Sequence, residues 1–285
     1  MQYKVGLVLE GGAMRGMFTA GVLDVLMENN IKFDGAIGVS AGAVFGCNYK
    51  SEQIGRTIRY NLKFCNDYRY CSLRSLITTG NLFGETFCYD SIPNHLDIFN
   101  QEVYKNNPME FYVVCTNVSN GKPVYKKCDN GDRNDMEWFR ASASMPVLSK
   151  IVEIGEYKLL DGGISDPIPL KWFRSMGYDF NVVILTQPEN YIKKYNPAMP
   201  LIKKLFSKYP EFIDAMSTRH NLYNAQREYV MNEKANNKTV VIQPPYKLNI
   251  GRIEHDPNKL KDTYELGRIT AIKSLKRIEK LIGSI

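Results

Sequence analysis

The chain has 285 residues, 44% of them apolar, and 37 Lys and Arg against 30 Asp and Glu give a formal net charge of +7. That length and apolar content are enough for the sizeable core of one domain spanning residues 1–285, and they argue against a disordered chain. No run of 18 or more apolar residues is present, and Met1-Gln2-Tyr3-Lys4-Val5 enters a strand without the regions of a signal peptide. The expectation is therefore a soluble cytoplasmic protein, with contact at a membrane surface at most peripheral.

The six cysteines form no C-x-x-C pair and only three histidines are available. A zinc cluster has little to draw on, so the thiols read as reduced, and neither a metal nor a cofactor is expected. The positive charge fits an anionic surface, but no nucleic-acid partner is expected.

Residues 4–9 read as a short apolar strand that runs into Glu10-Gly11-Gly12-Ala13-Met14-Arg15-Gly16. Residues 17–29 follow as a helix with Phe18, Val22, Val25 and Leu26 at helical spacing. Such a turn aims backbone N–H groups and a helix N-terminus at one point, which suits a phosphate or an oxyanion equally well. Gly11-x-Ala13-x-x-Gly16 also approximates a dinucleotide fingerprint with Asp34 at the distance of a ribose contact, and on that reading the chain is a nucleotide-binding module.

Residues 34–39 form the second expected strand, which leads into Gly38-Val39-Ser40-Ala41-Gly42. A serine between two glycines, after a strand and before the helical pattern of residues 43–49, reads as a nucleophile elbow. The serine there takes a strained conformation, and the residues two away on each side must be small.

A third helix is expected at 54–64, then a less regular surface excursion over 65–100 that is suited to form part of an active-site wall. Residues 110–118 read as a central strand, with 122–126 pairing beside it across Asn120-Gly121. A helix at 136–144 stops at Pro146. Residues 151–154 and 157–160 flank Gly155-Glu156 as a hairpin, and Asp161-Gly162-Gly163 stands at the end of its second arm.

Residues 170–176 are helical, 179–186 and 237–243 are strands, and 210–235 and 258–282 are covering helices. Strands alternating with helices predict an α/β fold with a mainly parallel sheet and helices on both faces. Functional groups then lie at the C-terminal strand ends.

The glycine-rich turn, the G-x-S-x-G elbow and Asp-Gly-Gly, in that order, resemble the patatin-like phospholipase family over about residues 5–169. The resemblance implies a three-layer α/β/α fold and a serine-aspartate dyad, without histidine, that hydrolyses acyl esters of lipids. By motif match Ser40 is the nucleophile and Asp161 its base. The oxyanion-hole donors are Gly11, Gly12 and Ala13, with Ala13 where the family usually has glycine, and Arg15, Gly16, Gly38, Gly42, Gly162 and Gly163 support them. Arg140-Ala141-Ser142-Ala143-Ser144-Met145-Pro146 is similar to a family segment near the cleft, and Asp166 precedes Pro167 where the family often has asparagine.

A carboxylate with a pKa of ~4 is a poor base at neutral pH, so the dyad requires burial, and Leu159-Leu160 directly before Asp161 supply apolar surroundings. An acyltransferase or thioesterase would use the same acyl-serine with a different acceptor. A Ser-Asp-His triad would draw on His220 or His255, which read instead as a helix residue and a turn residue, with His95 at the surface. The span 191–209 carries Lys193, Lys194, Lys203, Lys204 and Lys208 with no acidic residue, interleaved with apolar side chains. It is suited to dock on an anionic membrane, and the alternative is a solvated helix with its apolar face on the core.

Overall fold

Eight short segments, most of them runs of Val, Ile, Leu and aromatic residues, join one sheet in the computed structural model, which describes residues 3–283. They are β1 (Val5–Leu9), β2 (Gly35–Val39), β3 (Glu110–Asn117), β4 (Pro123–Lys127), β5 (Val152–Ile154), β6 (Tyr157–Asp161), β7 (Phe180–Ile184) and β8 (Thr239–Ile242). The run β3-β2-β1-β7-β8 is parallel throughout. β4 and β6 pair antiparallel with β3, and β5 pairs antiparallel with β6.

The register around β3 decides where the site forms. β2 pairs with residues 110–114 of β3, β4 with 112–116 and β6 with 115–117. Because β4 overlaps both of the others, it takes one edge of β3, and β2 and β6 share the opposite edge end to end. Val39 lies beside Val114, and Asp161 lies beside the next residue, Cys115. The end of β2 and the end of β6 therefore meet.

Period-2 alternation divides the core into two layers. Leu7 and Leu9 of β1, Phe111, Val113 and Cys115 of β3, and Val182 and Ile184 of β7 face one apolar cluster. Val8, Tyr112, Val114 and Val183 face the other. The first layer is covered by α1 (Gly16–Glu28), α2 (Ala41–Lys50), α3 (Arg56–Phe64), α4 (Leu73–Thr79), α5 (Gln101–Asn106) and α6 (Arg133–Ser142). On the other face stand α7 (Leu170–Ser175), the short α8 (Met199–Leu205) and the long α9 (Pro210–Ala235), while α10 (Pro257–Ile272) and α11 (Leu275–Gly283) return to the first. The result is the expected three-layer α/β/α arrangement, with a mixed, mostly parallel sheet.

Two expectations need correction. Residues 65–100 are not a surface excursion. They hold α4 and a wide-turn helical segment, Phe87–Leu96, with Pro93 inside it, and they bury Tyr70, Leu82, Phe87 and Ile92 against the main core. The expected helix at 258–282 is two helices. The chain breaks at the buried Ser274, whose N–H bonds Ala271 and whose carbonyl accepts from Arg277 and Ile278 to start α11. No helix among the described residues is long and apolar enough to cross a membrane.

Candidate active site

Ser40 occupies the turn between β2 and α2 with φ 54° and ψ −122°, a left-handed conformation that a residue with a Cβ holds only under constraint. The constraint is visible. The Ser40 N–H donates to Ser142 Oγ (2.9 Å), and Ser142 Oγ donates to the Val114 carbonyl (2.6 Å), which ties the turn to β3 and α6. Gly38 and Gly42 lie where a side chain would strike the backbones of Ala43 and Leu9, and Gly11 lies against Ser40 itself.

Asp161 ends β6, and its N–H donates to the Ser144 carbonyl (2.8 Å). One carboxylate oxygen accepts the Ser40 hydroxyl (2.7 Å) and the other accepts the Gly163 N–H (2.7 Å). The Asp161 carbonyl accepts from Thr116 Oγ1 (2.8 Å). The segment 140–146 thus holds both members of the pair, through Ser142 and Ser144. Gly162 passes so close to the Val114 carbonyl that a Cβ there would sit 2.1 Å from it.

Both Ser40 and Asp161 are buried. Burial pushes the Asp161 carboxyl above the usual aspartate range, opposed by the charge of Arg219 and by hydrogen bonds from Ser40 and Gly163. Arg219 reaches the pair from α9, its Nε donating to the Gly163 carbonyl.

The glycine-rich turn lies beside them. Among the described residues the N–H groups of Gly11, Gly12 and Ala13 make no backbone hydrogen bond, and Ala13 holds a φ of 49° despite its Cβ. The turn is anchored from behind. Thr186 donates its N–H to Glu10 (2.6 Å) and its hydroxyl to the Gly11 carbonyl (2.8 Å), while the Tyr223 hydroxyl donates to the other Glu10 oxygen (2.7 Å). Gly16 opens α1 against Phe45 and Ala41.

Two cavities meet at this point, and Ser40, Ala13 and Met145 line both. One, of about 110 Å³, is mostly apolar, lined by Met14, Phe45, Tyr60, Phe83, Tyr89 and Phe139 among others. The second, of about 420 Å³, is lined by Glu10, Arg15, Asp161, Lys193, Arg219 and Arg252 among others.

Asp34 stands at the other end of the sheet, where its carboxylate accepts the Val5 N–H at the start of β1 (2.6 Å). It cannot reach a ligand on the glycine-rich turn, which removes the ribose contact from the nucleotide-binding reading. No histidine lines either cavity. His95 is exposed, His220 sits edge-on to Tyr195, and His255 Nδ1 bonds the Cys65 carbonyl.

The sequence reading missed Thr116, Thr186, Tyr223, Arg219 and Arg252 as parts of the site, whereas it placed Ser142 in the 140–146 segment near the cleft. In the sequence Lys193 reads only as part of the lysine-rich span 191–209. No local pattern marks them, because each arrives through a pairing distant in the chain.

The sequence model described as patatin-like phospholipase matches residues 7–173. The chain belongs to the patatin-like phospholipase family. A second model, a domain of unknown function (DUF6363), matches residues 209–283. The chain is 26% identical over 291 residues to the uncharacterized protein YjjU of Escherichia coli K12, covering 98% of this chain and 79% of that one. It is 25% identical over 217 residues to the lysophospholipase nte1 of Aspergillus fumigatus, covering 73% of this chain and only 14% of that protein. VipD from Legionella pneumophila is a structural neighbour with a TM-score of 0.47 and 12% identity, covering 96% of this chain and 67% of its own.

Membership in the patatin-like family supports a lipid hydrolase function. Ser40, Asp161 and the glycine-rich turn fall inside the patatin-like match, whereas Arg219 and Arg252 fall in the second one.

Proposed function

We propose that this chain hydrolyses acyl esters of lipids through an acyl-serine on Ser40, with Asp161 as the general base. The observation that carries the reading is the 2.7 Å hydrogen bond from Ser40 Oγ to a buried Asp161 carboxylate, at the junction of an apolar and a polar cavity. Ser40 Oγ attacks the ester carbonyl, its proton passes to Asp161, and Asp161 returns that proton to the departing oxygen as the alcohol leaves. Water deprotonated by the same carboxylate then releases the fatty acid. The N–H groups of Gly11, Gly12 and Ala13 are free to receive the tetrahedral oxyanion, each donor worth about 3 to 4 kcal/mol of barrier in comparable sites. Turnover of a p-nitrophenyl ester series of increasing chain length tests the reading, and a chain with no esterase activity at any length contradicts it.

The pH profile follows from the base. Asp161 acts only when ionised, and burial raises its pKa, so kcat/KM is expected to fall on the acid side at a pH above that of an ordinary aspartate. As the pH drops through that raised value the carboxylate takes up a proton and the rate is lost. A profile still flat at pH ~4 would contradict an essential buried carboxylate.

We read residues 1–285 as one domain, since β7 and β8 extend the same sheet and α10 lies along α1. We further propose that the 191–209 span docks on anionic lipid. Met199, Ile202 and Phe206 point into the core while Ile192, Tyr195, Leu201 and Leu205 stay exposed beside the lysines. Reversing Lys203 and Lys204 to Glu is expected to weaken co-sedimentation with phosphatidylglycerol vesicles about tenfold or more, at about 1 kcal/mol per lysine. Unchanged binding would contradict the docking face.

A further inference from the structure

The polar cavity has an excess of positive charge that hydrolysis of an ester does not by itself require. Arg15, Lys193, Lys194, Arg219 and Arg252 line it, against the carboxylates of Glu10 and Asp161. Both carboxylates are already engaged, Glu10 by Thr186 and Tyr223, and Asp161 by Ser40 and Gly163. Among the described residues Arg15, Lys193, Arg219 and Arg252 form no salt bridge, and Arg15 Nε is buried without a hydrogen-bond partner. Burial and the neighbouring charges of Arg219, Arg252 and Arg15 push the Lys193 ammonium down to about 7, with Glu10 acting against them. Like charges crowded into a half-buried cleft repel, and an arriving anion relieves that repulsion.

These cations are held in place. The Lys193 backbone is clasped by the Asn224 side chain on both its N–H (2.9 Å) and its carbonyl (3.0 Å), and its ammonium lies 4.5 Å from the centre of the Tyr223 ring. Arg219 is bonded to the Gly163 carbonyl beside Asp161. The Arg252 carbonyl accepts the Met14 N–H (3.4 Å), which fastens its loop to the glycine-rich turn. Arg219, Tyr223, Asn224 and Arg252 all lie in the 209–283 segment matched by the domain of unknown function.

Ser40 sits between this cavity and the apolar one. An ester carbonyl at Ser40 places the acyl chain in the apolar cavity and the alcohol it leaves behind among the cations. We propose that Lys193, Arg219 and Arg252 form an anion subsite for the leaving group, so that the preferred substrate is an acyl ester whose alcohol ends in a phosphomonoester, and that the 209–283 segment contributes Arg219, Arg252 and the Asn224 clasp on Lys193 to it. The inference rests on the acyl-hydrolase reading above. A phosphomonoester carries about −1.5 to −2 charges and three acceptor oxygens, which matches several converging cations better than a single carboxylate does.

The test compares kcat/KM for 1-oleoyl lysophosphatidate and 1-oleoyl monoacylglycerol, which share an acyl chain and differ in the phosphate, in wild type, Lys193→Gln, Arg252→Gln and Arg252→Lys. Calorimetric binding of glycerol 3-phosphate to the same proteins gives a readout independent of turnover. Wild type is expected to prefer lysophosphatidate about tenfold or more, equivalent to ~1.4 kcal/mol. That ratio should collapse toward one in both Gln variants, through KM, and recover in part in Arg252→Lys. Glycerol 3-phosphate binding should follow the same order.

Equal rates on the two esters with no glycerol 3-phosphate binding would overturn the subsite and leave the hydrolase reading standing. A preference that survives both Gln substitutions would overturn it as well. Hydrolysis of neither ester, together with glycerol 3-phosphate binding that Arg252→Gln abolishes, would support the subsite and overturn the hydrolase reading.

Discussion

Replacing Asp161 by asparagine is expected to reduce acyl-ester turnover by about 10⁴-fold or more while the chain stays folded. Asparagine has the shape of the carboxylate, and its oxygen can still accept the Gly163 N–H that Asp161 now accepts at 2.7 Å. What it cannot do is take the proton from Ser40 Oγ. Ser40→Ala is expected to lose as much, and the double variant no more than either single one, because two groups that act as a unit are not additive.

Stability should move the other way. Burial raises the Asp161 pKa, so this group favours the folded state only when protonated, and that contribution has gone once the pH rises past the raised value. At neutral pH the variant should therefore unfold at an equal or higher urea concentration than wild type. The checks are initial rates on a p-nitrophenyl ester, with far-UV circular dichroism and urea midpoints for each protein. Turnover of Asp161→Asn within tenfold of wild type would mean that another group is the base.

The second large effect concerns the contact between α1 and α10. These helices cross with glycines at the point of closest approach. A Cβ on Gly21 would lie 2.0 Å from the Tyr264 carbonyl oxygen, and one on Gly267 would lie 2.1 Å from that of Phe18. Both neighbours are backbone, which cannot rotate aside, so a side chain must push one helix off the other. Gly267→Val is expected to destabilise the chain by about 3 kcal/mol, at the upper end of the usual cost of overpacking.

Because α10 follows the loop that carries Arg252, the same change should also disturb the polar cavity. Esterase activity at a subdenaturing temperature should then fall together with the urea midpoint. An unchanged midpoint would show that the two helices separate without cost, and that the 209–283 segment is not packed as described.

Much of the candidate site is local in the chain and legible for that reason. The glycines around Ser40 state the steric demand of a strand-to-helix turn within five residues, and the glycine-rich turn and Asp161-Gly162-Gly163 are equally compact. What no spacing reveals is why they meet. Ser40 and Asp161 are brought together because β2 and β6 divide one edge of β3 at Val114 and Cys115, a consequence of sheet register across more than a hundred residues.

The cations are hidden for a similar reason. Lys193 reads as part of a lysine-rich surface run until Asn224 is seen to hold its backbone over the cleft. Residues 65–100 read as a less regular zone in the sequence, yet the wide turns of Phe87–Leu96 accommodate Pro93 and still bury Phe87 and Ile92.

The most direct test of an activated Ser40 is covalent labelling with a fluorophosphonate, read by mass spectrometry of the intact protein and its peptides. The proposal predicts one adduct per chain, on the peptide containing Ser40, formed far more slowly in Asp161→Asn and absent in Ser40→Ala. No adduct on the folded wild type, or an adduct on another residue with Asp161→Asn labelled at the wild-type rate, would contradict it.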